Sequence, residues 1–350
     1  MPDTTVYFAT NRKPNNDANP TDFTEEITGD ADSIRFGSAT LSGDELFKQD
    51  VVALAGNVRI DVAPEQLHPT NANLATLGST KVFGDIATTM RTGDFDALFF
   101  IHGYNYTFRQ SVARAVQLKQ WLTDRPVTLL MFAWPSLGQG VAPQTYKDDR
   151  VRAEVSGKAI ARAILKAADF IRATRREERC NQRIHLISHS MGAWALRGAI
   201  QGMRTFVGDN IPPVFNEVMI TAGDEDHDAL ALNYKLMPIL RGCQRLTVYY
   251  NVQDLALKAS DVAMGNPDRL GRAGPDGRAS LPEKVVPVNV SAAIHWKPDP
   301  GLQDWEVDDT GHQYYRNNKV VRDDLIQILK GVPTGDIQGR IKRDDYWRVG

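Results

Sequence analysis

With 350 residues, 42% of them hydrophobic and 24% charged, the chain has the size and composition of an ordinary globular protein of one large or two smaller α/β domains. A formal net charge of −2 argues against a nucleic-acid or anionic-membrane partner, and no run reaches the roughly 18 apolar residues that a membrane helix needs. Cys180 and Cys243 are far apart without C-x-x-C spacing, and the start Met1-Pro2-Asp3-Thr4-Thr5 has neither a basic nor an apolar leader, so reduced thiols and a cytoplasmic location are expected.

In chain order, strands are expected at 5–10, 58–62, 97–102, 127–134, 183–189, 217–223, 246–251 and 285–291. Those after the second are dense in Val, Ile, Leu and Phe, as strands buried on both faces should be. Helical spacing falls between them, at 108–122, 150–172, 191–206, 228–240, 254–262 and 319–329. The alternation predicts an α/β fold with a mostly parallel eight-stranded sheet and helices on both faces. Residues 1–95 hold at most two of these strands and are read as an antiparallel edge plus a long surface loop. Residues 96–335 form the catalytic core and 336–350 a tail, the whole of 1–350 being one domain. The glycine- and proline-rich stretch 265–284 is expected to be a mobile loop bordering a site. The alternating charges of 172–179 suit a solvated helix end.

The segment Ile184-His185-Leu186-Ile187-Ser188-His189-Ser190-Met191-Gly192 changes abruptly from a buried-strand pattern to a helical one. A nucleophile elbow requires that change, because its serine sits on a strained turn with small residues two before and two after. Ser188 and Gly192 fill those places, and Ser190 is the candidate nucleophile; the competing reading is a serine that merely caps a helix. The Met191 amide, at the helix N-terminus, is one candidate oxyanion donor. The Tyr104 amide is the other, in the loop His102-Gly103-Tyr104-Asn105, where Gly103 lets the backbone approach the reacting carbonyl. His102 is expected to brace that loop.

In this fold the acid and the histidine follow the nucleophile in that order. Asp254, after strand 246–251, is the preferred acid, and Asp224, after strand 217–223, is the alternate. His312, shortly before the last helix, is the preferred base, and His295 is the alternate. The run Asp224-Glu225-Asp226-His227-Asp228 lacks matched ligand spacing elsewhere, so neither metal nor cofactor is expected. Trp134 and Tyr146 are substrate-binding candidates, with packing as the competing role for each, and the same question applies to Asp149.

These residues lie in Ile101-His102-Gly103-Tyr104-Asn105, Phe132-Ala133-Trp134-Pro135-Ser136, Tyr146 with Asp149, Ser188-His189-Ser190-Met191-Gly192, the segment starting at Asp254, Arg269-Leu270-Gly271 and Gly311-His312. By them the chain resembles a bacterial family of α/β-hydrolase-fold proteins described as serine esterases of unknown function. The resemblance runs from Tyr7-Phe8-Ala9-Thr10-Asn11-Arg12 to the last helix and implies Ser190, Asp254 and His312 as a triad. The expected chemistry is hydrolysis of a small-molecule carboxylic ester through an acyl-enzyme. Thioester or amide hydrolysis or acyl transfer by the same triad is one alternative, and a catalytically silent scaffold that binds a partner is another.

Overall fold

The computed structural model describes residues 2–29, 33–65, 76–122, 124–140, 142–173, 182–231, 234–294 and 310–350. The strands are β1 (Asp3–Thr10), β2 (Arg12–Pro14), β3 (Phe23–Ile27), β4 (Arg35–Ser42), β5 (Arg59–Val62), β6 (Asp96–Ile101), β7 (Val127–Phe132), β8 (Ile184–His189), β9 (Phe215–Thr221), β10 (Cys243–Tyr250), β11 (Val285–Asn289), β12 (Arg340–Lys342) and β13 (Trp347–Val349). The helices are α1 (Val51–Ala55), α2 (Gly78–Gly93), α3 (Phe108–Trp121), α4 (Pro143–Val155), α5 (Gly157–Ala173), α6 (Gly192–Val207), α7 (Leu255–Met264), α8 (Leu270–Ala273), α9 (Tyr314–Asn317) and α10 (Lys319–Leu329).

Eleven strands form one sheet in the order β12-β13-β11-β10-β9-β8-β6-β7-β1-β4-β5, and β2 pairs with β3 apart from it. From β13 to β1 every neighbouring pair is parallel; β12, β4 and β5 add antiparallel edges. The central strands are apolar throughout because successive side chains enter different cores. In β6, Phe99 and Ile101 face the layer of α2, α5 and α6, while Leu98 and Phe100 face the layer of α3 and α10. The chain thus has the α/β architecture with a large, mostly parallel sheet and helices on both faces.

All eight expected strands lie in this sheet, and three more extend it. Two of the three, β12 and β13, arise from the expected tail, which docks β13 against β11. The N-terminal expectation also needs correction: the described part of residues 1–95 contains five strands and two helices. The reason is chemical: β4, Arg-Phe-Gly-Ser-Ala-Thr-Leu-Ser, buries only small or scattered apolar side chains, and α2 is rich in Thr and Gly.

Two helical expectations differ as well. The single helix at 150–172 is two helices: α4 starts early on Pro143, a residue suited to the first helical turn, and ends at Ser156. The helix at 228–240 is replaced by two short 3-10 turns, His227–Leu230 and Met237–Arg241. Pro238 cannot supply a helical amide, and Lys235 is drawn back onto Asp226 at 3.0 Å.

The strand ends are level across the centre: Ile101 pairs with both Phe132 and Ser188, and His189 pairs with Thr221. Loops leaving β6, β8, β9 and β10 therefore emerge on one rim. After β6 the chain adds β7 on one side and β8 to β11 on the other, so the order reverses between β6 and β8, where open parallel sheets form their clefts.

Candidate active site

Ser190 stands at that reversal, between β8 and α6, with φ of +55°. A left-handed serine is strained and persists only where its surroundings hold it. Here the Ser190 amide donates to the Thr221 carbonyl at 3.1 Å, and its own carbonyl accepts from the Asp224 amide at 2.9 Å and the Ala193 amide at 3.0 Å. A Cβ at Gly192 would lie 2.5 Å from the Ile101 carbonyl oxygen, so only glycine lets α6 start this close to β6. Ser188 is fully buried on the strand. The N-cap position of α6 is Met191, not Ser190, and it makes no side-chain cap hydrogen bond.

His312 reaches the same rim from the loop before α9. The Asn251 side chain donates to the Gly311 carbonyl at 2.8 Å, and the Leu255 amide donates to the Thr310 carbonyl at 2.9 Å. The Tyr314 hydroxyl accepts from the Ala222 amide at 2.6 Å and donates to the Tyr249 carbonyl at 3.0 Å, tying this loop to the ends of β9 and β10. The His312 ring lies 4.9 Å from that of His189, the residue before Ser190. His312 Nδ1 is 2.7 Å from Asp254 Oδ2. The other oxygen of this buried carboxylate caps α7 by accepting from the Leu257 amide at 2.9 Å. One aspartate thus orients the imidazole and is itself held rigidly.

Asp224 sits elsewhere. Oδ1 accepts from Arg269 Nε at 2.8 Å and the Ser260 hydroxyl at 3.0 Å, and Oδ2 accepts from the Tyr146 hydroxyl at 2.8 Å. Arg269, fully buried, also binds Asp226 at 2.6 Å, while Arg197 meets Glu225 at 3.1 Å. The acidic run is therefore engaged by cations of the protein itself. Burial pushes the Glu225 carboxyl up to about 7, against the pull of Arg197. The stretch 265–284, expected as a mobile loop, carries Arg269 and α8 into this cluster; the Gly271 amide donates to the Gly223 carbonyl at 2.8 Å and the Asn251 amide to the Gly271 carbonyl at 2.9 Å. His295 lies outside the described residues.

On the β6 side, a Cβ at Gly103 would lie 3.1 Å from the Cβ of Ser190, so this loop lies directly against the elbow. His102 and Trp134 stack beneath it, ring centres 5.1 Å apart and planes 9° from parallel. Trp134 Nε1 donates to the His102 carbonyl at 2.8 Å, and His102 Nδ1 donates to the Gly103 carbonyl at 2.6 Å. Both are fully buried, and burial drives the His102 imidazole down to about 3, so it stays neutral. Trp134 thus packs under the loop and does not line a cleft. Tyr146 is likewise buried, its ring edge-on to the half-buried Tyr104 at 5.8 Å.

Sequence reasoning passed over Arg269 as a site residue and left Asp149 undecided. Asp149 is buried, with its oxygens turned to the β6 and β7 loops; burial raises its carboxyl, and Ser136 and two backbone amides oppose that rise. A buried carboxylate surrounded by donors leaves no mark in sequence beyond an acidic residue on a helix. Among the described residues no group of histidine, cysteine and acidic side chains has the arrangement to hold a metal ion, and no helix is long and apolar enough to cross a membrane. Cys243 is buried and unpaired; Cys180 lies outside the described residues.

Searches of curated proteins and of solved structures found no match. The family model described as alpha/beta hydrolase of unknown function (DUF900) matches residues 83–327, which include Ser190, Asp254, His312 and both halves of the rim. With that match across well over half of its length, the chain belongs to this alpha/beta hydrolase family.

Proposed function

We propose that the protein is a serine hydrolase that cleaves carboxylic esters through an acyl-enzyme on Ser190. The observation that carries this reading is the left-handed Ser190 on a strand-to-helix turn, facing a rim that also receives the hydrogen-bonded His312–Asp254 pair. With Asp254 accepting the Nδ1 proton, the other ring nitrogen of His312, Nε2, takes the hydroxyl proton as Ser190 Oγ attacks the ester carbonyl. The Met191 and Tyr104 amides receive the developing oxyanion. Collapse of the tetrahedral adduct expels the alcohol, which takes its proton from His312. Water then attacks the acyl-enzyme by the same route, releasing the acid and restoring Ser190. Burial of Asp254 favours this division of labour, since a fixed carboxylate stabilises the imidazolium without a reorganisation cost.

The test is turnover of 4-nitrophenyl acetate together with labelling by a fluorophosphonate. Wild type is expected to label and turn over. Ser190→Ala should lose labelling and drop kcat by about 10⁴- to 10⁶-fold. Asp254→Asn, which retains a helix-capping oxygen, should drop kcat by about 10⁴-fold with little loss of stability. Wild-type turnover by Ser190→Ala would overturn the assignment.

A further inference from the structure

The hydrogen bonds around the loop after β6 converge on one side chain that does not reach the cleft. Asp149, on α4, is 1% exposed. Its Oδ2 accepts from the Asn105 amide at 3.2 Å and from the Ser136 hydroxyl at 2.5 Å. That hydroxyl oxygen in turn accepts from the Tyr106 amide at 3.1 Å. Oδ1 accepts from the Leu137 amide at 2.8 Å. Both amides that follow Tyr104 therefore end on the same carboxylate, one directly and one through Ser136.

The loop needs such a hold. Asn105 has φ of +66°, a conformation that Asn tolerates better than most residues but at a cost. From the other side, Arg12 Nη2 donates to the Tyr106 carbonyl at 2.8 Å, and the Asn105 side chain accepts from the Gly140 amide at 2.8 Å. Ser136 and Leu137 belong to the segment leaving β7, so Asp149 welds the β6 and β7 loops together. Three residues earlier on the same helix, Tyr146 reaches Asp224, whose amide holds the Ser190 carbonyl. Helix α4 thus lies across the rim, with one residue on each half of it.

The geometry points to Asp149 as the positioning residue of the oxyanion site: it fixes the two peptides that follow the one presenting the Tyr104 amide, and so sets the direction of that amide and transition-state stabilisation without touching substrate. This rests on the proposed Ser190 chemistry. A carboxylate suits the task because it accepts from three donors at once without donating, whereas an amide in its place would turn an N–H toward one of them. A donor displaced by a fraction of an ångström still admits substrate but no longer meets the oxyanion.

Asp149→Asn and Ser136→Ala test this against wild type and Ser190→Ala. Turnover of 4-nitrophenyl acetate is expressed per labelled Ser190, and inhibition is measured with a methyl trifluoromethyl ketone, which forms a tetrahedral oxyanion on serine. Asp149→Asn is expected to lower kcat about 10- to 100-fold with KM within about twofold, and to raise the ketone Ki by the same factor as kcat falls. Ser136→Ala, a milder change that also serves if Asp149→Asn does not fold, should move both quantities in parallel by a few-fold. A purely structural role would lower the fraction of labelled enzyme and leave kcat per labelled site unchanged, which overturns the inference. Loss of kcat with an unchanged ketone Ki overturns it too. If Ser190→Ala is inactive while both variants match wild type, only the role of Asp149 falls. If Ser190→Ala turns over normally, the hydrolase reading falls and takes this inference with it.

Discussion

The two halves of the rim are held by different forces. The half after β6 and β7, proposed to receive the oxyanion, rests on a neutral aromatic stack, on hydrogen bonds to backbone, that of Arg12 among them, and on the single carboxylate of Asp149. The half beyond Ser190, after β9 and β10, rests on a buried charge cluster in which Arg269 joins Asp224 to Asp226. Beside it Trp194, on the first turn of α6, has the Arg150 guanidinium 3.7 Å from its ring centre and that of Arg197 at 4.5 Å. Removing one partner from a buried ion pair leaves the other charge stranded, whereas a neutral contact fails gently. The half beyond Ser190 should therefore be the more fragile to single substitutions.

The sharpest break in that comparison is Arg269→Met. Without the guanidinium, Asp224 keeps only hydroxyl donors, and unfolding in urea should show a loss of about 3–5 kcal/mol. A loss below about 1 kcal/mol would mean that the cluster does not hold this half together.

Acidity bears next on the half beyond Ser190. The Glu225 carboxyl, held at about 7 in the folded protein by burial, binds its proton more tightly than in the unfolded chain, where about 4.3 is usual. Its contribution to stability is full at low pH, falls as pH rises between those two values and is flat above. Glu225→Gln removes that decline. The stability difference between variant and wild type should grow in favour of the variant by on the order of 2–3 kcal/mol from pH 4.5 to 7.5. A difference that stays constant across this range would sink the assignment.

The smallest effect is expected on the half after β6 and β7. Trp134→Phe keeps an aromatic plane under His102 but strands the His102 carbonyl, at a cost of about 1–2 kcal/mol. Thermal unfolding measures it, and a loss as large as that of Arg269→Met would erase the contrast between the halves.

Much of this architecture is legible in the order of the amino acids. β6 to β10 are buried on both faces, so their continuous apolar runs stand out, and each of β6, β8, β9 and β10 is followed by a residue with chemistry to offer: Gly103, Ser190, Asp224 and Asp254. At the edges legibility is partial: β5 falls within the expected strand at 58–62, but its neighbour β4 and the strand β13 do not show. β4 and β13 are short or built of small residues, and pairing with β1 and β11 makes them strands. The switch at Ser190 shows in sequence because strand and helix periods differ, but the left-handed angle that makes the turn does not.

Sequence by itself determined the α/β alternation, the position of the strand-to-helix turn at Ser190 and the order in which the candidate serine, acid and histidine follow one another, since these are properties of local pattern and chain direction. Two aspartates each follow a strand; the usual order of the fold prefers Asp254, but local pattern by itself has no means of choosing between them. The fold brings Asp254 to His312 and spends Asp224 on Arg269 and Tyr146. It also turns Asp149 from one acid on a helix into the residue that joins two loops. Those roles exist only between residues tens of positions apart, where contact depends on how the sheet and its helices pack.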